Sequence, residues 1–301
     1  MVSMNRLSVE KRCQILGALV EGNSIRATCR MTGASKNTVT KLLVDMGYAC
    51  AAHHNRTVRN VKAERVQCDE IWSFCFSKQK NVQPDKVGEL GYGDVWTWTA
   101  LDADSKLMVS YYIGKREEED ARTFLGDLAG RLAGRVQLTT DGWHPYLKAV
   151  KDTFGLDVDF AQMIKVYGRD LKEGSQRYSP PVCTGTDIRV RIGDPDRASV
   201  STSYIERQNL TMRMSMRRFT RLTNAHSKKL ENLICAVALH FAYYNFVRVH
   251  STLKTTPAVA AGVADHVWTL RELVELLEAI EDAQPRERKP YKKRKASLHS
   301  N

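Results

Sequence analysis

The hydrophobic positions of residues 8–46 recur at helical spacing in three short segments. Ser8, Ser24 and Ser35 each precede one segment, and serine is a preferred N-cap residue. The second segment stops at Gly33, so the last two predicted helices are joined by a tight glycine turn, as in a helix-turn-helix. Polar side chains at the start of the third helix suit contacts with base edges and phosphates. We predict that these residues bind DNA: Lys36, Asn37, Thr38, Thr40 and Lys41. An ordinary helical subdomain with a solvated face is the alternative interpretation.

Beyond a polar connector at residues 47–65, the pattern changes to that of β-strands. The connector contains His53 and His54, and no partner at metal-ligand spacing accompanies them. Strands are predicted at 66–76, 95–101, 107–113 and 136–140, with helices at 117–132 and 145–154 and an apolar run at 158–167. A short hairpin-like segment joins the second strand to the third, so we expect that pair to be antiparallel. This order predicts an α/β fold with a mixed five-stranded sheet and flanking helices.

The rest of the chain consists of a loop, further helices and a tail. Glycine, proline, serine and charged residues dominate residues 168–200, which we interpret as a loop or insertion. Helical patterns follow at 203–219, 230–247 and 268–280. The predicted organisation is a helix-turn-helix domain at 1–50, a linker at 51–65, an α/β core at 66–222, a C-terminal helical region at 223–284 and a basic tail at 285–301.

Composition adds a charge asymmetry to this outline. The 301 residues include 46 basic and 34 acidic side chains, a net charge of +12. Residues 1–65 carry 11 basic and 4 acidic side chains (+7), residues 66–182 carry 15 and 18 (−3), and residues 183–262 carry 12 and 5 (+7). Basic segments on both sides of an acidic middle favour a polyanionic partner, although charge that serves only solubility is the alternative.

The cysteines and the apolar runs limit the class of protein. The seven cysteines are odd in number and include no CxxC pair, so the sequence supports neither a zinc ribbon nor a disulfide framework. No run approaches the roughly 18 apolar residues of a membrane-spanning helix. We therefore expect a soluble, cytoplasmic protein without a membrane partner.

Three acids stand out from their local patterns. Asp69 lies inside the first predicted strand, where aspartate is depleted, Asp141 closes the strand at 136–140, and Glu206 opens a strongly basic helix. A buried carboxylate is costly unless it is paired or holds a cation, so the three together could form a divalent-metal site. Two other interpretations stay open. Asp69 could be a structural acid, and Ser203 with Glu206 has the spacing of a capping box.

The helix that begins near Glu206 is rich in arginine. Arg213 and Arg217 follow Glu206 by seven and eleven positions, which lie on one face of a helix, and Arg207 is its neighbour. One acid among many arginines suits a site where DNA phosphates meet a metal ion. We predict DNA contacts by Arg207, Arg213 and Arg217.

Three motifs around the acids resemble those of bacterial insertion-sequence DDE transposases, and in particular those of the insertion-sequence-one family. These motifs are Cys68-Asp69-Glu70-Ile71-Trp72, Thr140-Asp141-Gly142-Trp143 and Tyr204-Ile205-Glu206-Arg207-Gln208-Asn209. Residues 244–250 and Thr256-Pro257-Ala258 are similar to a tail found in several transposase families, and the resemblance covers about residues 60–260. It implies a ribonuclease H-like core at 66–222, with the first acid on the central strand, the second after the fourth strand and the third on a late helix.

The resemblance also implies an activity. The chain would be a transposase that binds insertion-sequence ends and catalyses Mg²⁺-dependent DNA cleavage and strand transfer, with Mn²⁺ able to replace Mg²⁺. Asp69, Asp141 and Glu206 would be the catalytic metal ligands and Arg213 would contact DNA phosphate, in a homo-oligomer assembled on DNA. A catalytically silent DNA-binding regulator and a nuclease that cleaves without joining are the alternatives. The N-terminus lacks the cysteine-rich zinc module of some relatives, so recognition of the end sequence does not carry over from them.

Overall fold

The computed structural model describes residues 6–168, 183–220 and 224–283. The predicted basic tail at 285–301 lies outside these residues, as do residues 169–182 of the predicted insertion. Within the described part of the chain, no helix combines the length and apolarity needed to cross a lipid bilayer.

Helices begin and end the described chain. In chain order the α-helices are α1 (Val9–Val20), α2 (Ile25–Thr32), α3 (Lys36–Thr57), α4 (Glu118–Ala129), α5 (Pro145–Phe154), α6 (Ser203–Ser215), α7 (Leu230–Ala242), α8 (Pro257–Ala260) and α9 (Leu270–Ala283). Helix α7 continues into a π-helical turn at Tyr243–Val247. The helices of the three N-terminal segments and of the 117–132 and 145–154 segments occur where the periodicity predicts them.

The three predicted serine caps are confirmed. Ser8, Ser24 and Ser35 each accept a hydrogen bond from the backbone N–H three residues later, which satisfies a donor that the first helical turn leaves unpaired. Gly33 ends α2 with a φ of 68°, a left-handed conformation that glycine adopts without steric strain.

Six strands form one mixed sheet. They are β1 (Arg65–Cys75), β2 (Gly93–Asp102), β3 (Met108–Gly114), β4 (Gln137–Thr140), β5 (Asp159–Tyr167) and β6 (Cys183–Ile192). The strand order is β3-β2-β1-β4-β5-β6. Strand β1 is antiparallel to β2 and parallel to β4, β2 is antiparallel to β3, and β5 is parallel to β4. The predicted α/β class, with a mixed sheet and flanking helices, is confirmed, and β1 is central as the ribonuclease H-like expectation requires.

The prediction of five strands is wrong, because β6 lies inside the segment interpreted as a loop or insertion. Strand β6 pairs antiparallel with β5 at the edge of the sheet and is mostly exposed. Ile188, Val190 and Ile192 alternate with charged residues, which is a strand pattern that the surrounding glycines and prolines conceal.

Two clusters of buried apolar side chains pack on opposite faces of the sheet. Because neighbouring strand residues point to opposite faces, Cys68 joins one cluster and Ile71 joins the other. Helices α4 and α5 cover the Cys68 face, while α1, α3, α6, α7 and α9 share the core of the Ile71 face. The N-terminal helices therefore pack into the same core as the central strand.

Helix α3 is longer than the sequence predicts. It continues through residues 47–57, which were interpreted as the start of a polar connector. His54 is buried, with Nε2 3.1 Å from the carbonyl oxygen of Val109, and His53 packs edge-on against Phe246. Both histidines are therefore buried, because this part of α3 packs against β3 on one side and against Phe246 on the other.

Candidate metal and DNA site

The end of strand β4 determines where the acids meet. Strand β1 pairs with β4 only over residues 65–67, so from Asp69 onward this edge of β1 has no neighbouring strand in the part of the chain that the structure describes. Asp141 follows the last residue of β4 directly. Carboxyl ends of parallel strands are the usual place for ligands in such sheets, and here they bring together acids that are far apart in sequence.

Asp69 is held on both carboxylate oxygens. Its Oδ1 accepts a hydrogen bond of 2.8 Å from the backbone N–H of Glu70, and its Oδ2 accepts one of 2.8 Å from Nδ2 of Asn209. Burial raises the pKa of Asp69 to about 6, the negative charges of Asp141 and Glu206 add to that rise, and the two hydrogen bonds oppose it.

Helix α6 is docked onto β1 by a buried glutamine. Oε1 of Gln67 accepts hydrogen bonds of 3.0 Å from the backbone N–H groups of Tyr204 and Ile205, in the first turn of α6. These are donors that a helix cannot satisfy internally. The contact places Asn209 against Asp69 and brings Glu206 to the acid site.

Asp141 is fixed by the corner that follows β4. Its Oδ1 accepts a hydrogen bond of 3.0 Å from the backbone N–H of Trp143. Nε2 of Gln162, on β5, donates to the carbonyl oxygens of Asp141 and Trp143 at 3.0 and 3.2 Å. The side chain of Asp141 stays 40% exposed, so it is open to a ligand from solvent.

Glu70 joins this site, although sequence reasoning did not select it. Asp69, Glu70 and Asp141 each place a carboxylate oxygen within 4.8 Å of the others. The Glu70 side chain is 1% exposed, and its Oε1 has no hydrogen-bond partner among the described residues. Burial raises the pKa of Glu70 to about 8, and the charge of Asp141 adds to the rise. The available signal was a second acid next to Asp69 in a strand otherwise rich in apolar residues.

Arg116 is the second residue of the site that the sequence did not reveal. Its Nη2 lies 3.6 Å from a carboxylate oxygen of Glu70 and 3.6 Å from one of Asp141. The guanidinium stacks between the rings of Trp96 and Trp143, at 4.9 and 5.0 Å from their centroids. Arg116 therefore balances part of the negative charge of the two acids.

Glu206 lies beside the carboxylate cluster and outside the set within 4.8 Å, among the described residues. Nζ of Lys165, on β5, lies 2.5 Å from Oε1 of Glu206, and the hydroxyl group of Thr202 donates to the same oxygen at 2.6 Å. The structure thus brings Asp69 and Asp141 together and leaves Glu206 paired with a lysine near them.

The capping-box interpretation of Glu206 is wrong. Thr202 is the N-cap of α6 and Ser203 is already the first helical residue, so Glu206 lies one position too late for the box. Its carboxylate accepts hydrogen bonds from the Thr202 hydroxyl and from Lys165, and not from the backbone N–H of the N-cap residue as a capping box requires. The acid is consequently available for another role.

The residues predicted to contact DNA occupy two regions. Lys36, Asn37 and Lys41 are exposed in the first two turns of α3. Thr38 and Thr40 are half-buried, and the Thr38 hydroxyl lies 2.9 Å from that of the cap Ser35. The arginines are separated from these residues along the chain.

The expectation that Arg213 and Arg217 share one helical face is wrong. Helix α6 ends at Ser215, and Met216 is extended. Arg207 and Arg213 are on α6, whereas Arg217 opens a separate 3₁₀ turn, Arg217–Phe219. The arginine-rich sequence conceals this break, because arginine has a helix propensity close to that of the preceding methionine.

The donor set fits a hard divalent cation. The three carboxylates within 4.8 Å of one another supply the oxygen ligands that Mg²⁺ and Mn²⁺ take, and the buried Oε1 of Glu70 lacks a partner in the described part of the chain. Burial is the main cause of the raised pKa values of Asp69 and Glu70, and a cation would offset the mutual repulsion that adds to it.

Comparison with known proteins gives partial structural likenesses. No family model and no curated protein sequence matches the chain. Among solved structures, the chain is similar to the Mos1 strand transfer complex at 14% identity, with a TM-score of 0.23 over 53% of this chain and 60% of that one. It is similar to the piggyBac transposase synaptic complex with hairpin DNA at 11% identity, with a TM-score of 0.39 over 94% and 73% of the two chains. A pre-cleavage Mos1 transpososome gives 9% identity and a TM-score of 0.32 over 96% and 83%. Likeness of this extent does not define a function for the chain.

Proposed function

We propose that the chain is a DDE transposase of the bacterial insertion-sequence type, which binds the ends of an insertion sequence and catalyses DNA cleavage and strand transfer. The observation that carries the proposal is the meeting of Asp69 and Asp141 at the end of the central sheet strands. Glu206 lies close enough to add to the rise in the pKa of Asp69. Three acids from distant parts of the chain, gathered at one edge of a mixed sheet, support a metal-dependent reaction on phosphodiesters.

Asp69, Asp141 and Glu206 would hold the divalent ions, with Mg²⁺ preferred and Mn²⁺ able to replace it. When bound, two such ions activate the attacking hydroxyl group and stabilise the leaving oxygen. The chain's own contribution is to position the carboxylates. Asn209 fixes Asp69, and the backbone of Trp143 fixes Asp141.

Glu206 must exchange partners for this role. Its ion pair with Lys165 is partly exposed, at 42% for the glutamate and 28% for the lysine, so breaking it costs little free energy. Lys165 would then be free to contact a DNA phosphate beside the site.

DNA binding would involve both basic regions. The helix-turn-helix residues Lys36, Asn37, Thr38, Thr40 and Lys41 would recognise DNA ends, and Arg207 and Arg213 would hold phosphates beside the acids. Two DNA ends must be joined to one target, so we expect a homo-oligomer assembled on DNA.

The test uses a supercoiled donor plasmid that carries the gene with its flanking DNA, a target plasmid and Mg²⁺. The wild-type protein should give joined products, and Asp69→Asn or Asp141→Asn should remove cleavage and joining while DNA binding stays. Nicked donor without joined products would contradict the proposal and favour the nuclease. Binding without any cleavage would favour the silent regulator.

Glu206→Gln and Lys165→Gln form a matched pair within this test. Both substitutions break the same ion pair, so their melting temperatures should change alike and by little. Only Glu206→Gln removes a ligand, so it should lose activity by orders of magnitude and bind fewer Mn²⁺ ions in calorimetry. Lys165→Gln should bind Mn²⁺ at least as tightly as wild type. Wild-type activity and unchanged Mn²⁺ binding in Glu206→Gln would remove Glu206 from the metal site.

A further inference from the structure

A deep groove separates the N-terminal helices from the segment that follows α6. Its volume is about 1250 Å³. One wall is formed by α2 and the first turns of α3, and includes Arg26, Lys36, Asn37 and Lys41. The other wall is formed by residues 216–218 and 224–229. We call this space the basic groove.

Opposing positive charges are the main feature of the basic groove. Seven of its lining residues are lysine or arginine and two, Asp45 and Glu231, are acidic. Lys41 pairs with Asp45, and Glu231 accepts a hydrogen bond from Tyr48. Within the described chain, Arg26, Lys36, Arg217 and Lys229 form no ion pair with a carboxylate. Like charges that face each other across a gap repel, and a polyanion between them removes that repulsion.

The second wall is fixed to the strand that carries Asp69. The backbone N–H of Phe76, just after β1, donates to the carbonyl oxygen of Ser227 at 2.8 Å. Nη1 of Arg218 donates to the hydroxyl oxygen of Ser227 at 2.7 Å. Nε2 of His226 lies 3.1 Å from the carbonyl oxygen of Phe76. These contacts hold Arg217, Lys228 and Lys229 opposite α3 at a position set by the central strand.

We propose that the basic groove binds DNA on both walls at once: α3 contacts the bases and phosphates, and Arg217, Lys228 and Lys229 hold the sugar–phosphate backbone from the opposite side. The proposal rests on the DNA binding in the proposed function and adds a second contact surface to it. The side chains of α3 favour DNA over an acidic protein, because lysine, asparagine and threonine at a helix start suit base edges and phosphates together. The groove would thereby fix the distance between the recognised sequence and the carboxylates.

The experiment measures binding of the full-length protein to a fluorescent 30-base-pair duplex of random sequence and to a 30-residue oligo(dT), over a range of salt concentrations. The test variant is Arg217→Gln/Lys228→Gln/Lys229→Gln. The matched control, Lys62→Gln/Lys148→Gln/Lys151→Gln, removes the same charge from exposed residues outside the groove. A third variant, Lys36→Gln/Asn37→Ala, probes the α3 wall.

The groove-wall variant should bind DNA roughly tenfold or more weakly than the control variant. Its log–log salt slope should be flatter by about 0.9 per lost contact on the duplex, or about 0.7 on the single strand. The single variant Lys229→Gln should flatten the salt slope by about the amount of one lost contact. It keeps the test valid if the triple variant misfolds, and melting curves of each variant check folding directly.

Equal binding by the groove-wall and control variants would overturn the inference. If Lys36→Gln/Asn37→Ala still lost affinity in that case, DNA recognition by α3 would stand without the second wall. If the wild-type protein bound neither probe, both the inference and the proposed function would fail.

Discussion

Glu70 shows how burial changes the chemistry of a single carboxyl group in this site. Its neighbour Asp69 has hydrogen-bond partners on both oxygens. Of the Glu70 oxygens, one has no partner within the described residues, and Arg116 lies 3.6 Å from the other. The pKa of Glu70 rises from its usual value of 4.5 to about 8 through burial and the charge of Asp141. In the absence of a cation, the group is therefore more easily protonated than any exposed glutamate.

This shift predicts a pH dependence of stability. A carboxyl group with a higher pKa in the folded state binds its proton more tightly there. The contribution of Glu70 to the free energy of unfolding is therefore complete at low pH and is lost as pH rises from about 4.5 to about 8. In a chelating buffer, the melting temperature of wild type should fall by several degrees between pH 5 and pH 8.5, at about 2–4 °C per kcal/mol. Glu70→Gln should flatten this curve and melt higher at pH 8.5, as differential scanning fluorimetry can measure.

The exposed residue Glu64 supplies the control, because Glu64→Gln makes the same substitution in the segment leading into β1. That variant should keep the wild-type pH curve. The melting temperature of Glu70→Gln should still fall slightly with rising pH, because the pKa of Asp69 is also raised, to about 6. A full slope in Glu70→Gln would show that other groups cause the decline.

The position of helix α6 depends mainly on its contact with Gln67 of β1. It has no side-chain cap at Thr202, and the N–H groups of Tyr204 and Ile205 in its first turn donate to Gln67 on β1. The helix in turn supplies Asn209 and Glu206 to the acid site. Its position relative to β1 therefore decides whether the third acid can reach an ion.

Gln67→Ala should move α6 and weaken metal binding. Two buried backbone donors would lose their acceptor, at about 1–3 kcal/mol each, and α6 would shift to recover solvent contacts. We expect a lower melting temperature and a severalfold weaker affinity for Mn²⁺ in calorimetry.

The control for this change is Gln137→Ala. Gln137 also makes two side-chain hydrogen bonds to backbone, with the carbonyl oxygen and the N–H of Asp196 at 3.1 and 2.9 Å, and these hold a loop outside the acid site. Mn²⁺ affinity should stay unchanged there. If both variants bound Mn²⁺ like wild type, the docking contact would have no bearing on the metal site.

The N-terminal and C-terminal helices are joined by a close backbone approach. Gly47 on α3 packs against Cys235 on α7, and a Cβ atom at position 47 would lie 2.3 Å from the Cβ of Cys235 and 2.4 Å from its Cα. These helices belong to the core that also contains Ile71 of the central strand. The packing of α3 on α7 thus sets where the DNA-binding residues lie relative to the acids.

Gly47→Ala should separate the two helices and destabilise the protein. Overpacking of this kind costs about 1–3 kcal/mol, although alanine has the better helix propensity. The matched control is Gly126→Ala in α4, where a Cβ atom meets nothing within 4 Å, and the propensity gain of up to about 1 kcal/mol should raise the melting temperature. The two variants should shift the thermal midpoint in opposite directions. Equal shifts would argue against the close approach.

The sequence determined the features that local periodicity and turn chemistry specify. Serine caps, the antiparallel pair β2–β3 and the strand that ends just before Asp141 depend on neighbouring residues alone, so they could be predicted. The placement of Asp69 inside a strand followed from an acid within an apolar run, whereas its place on the central strand was an implication of the family resemblance. These parts of the fold and of the site are specified by short segments of the chain.

Tertiary structure decided what depends on residues far apart in the chain. Glu70 and Arg116 enter the site because β1 runs past the end of β4, which no local pattern records. Arg217 does not share a helical face with Arg213, because α6 ends just before Met216, which packs into the core. Arg217 lines the basic groove instead. Strand β6 forms because β5 offers a free edge whose backbone groups need partners. Burial and pairing are properties of the folded molecule, and they set both the charges and the contacts of the site.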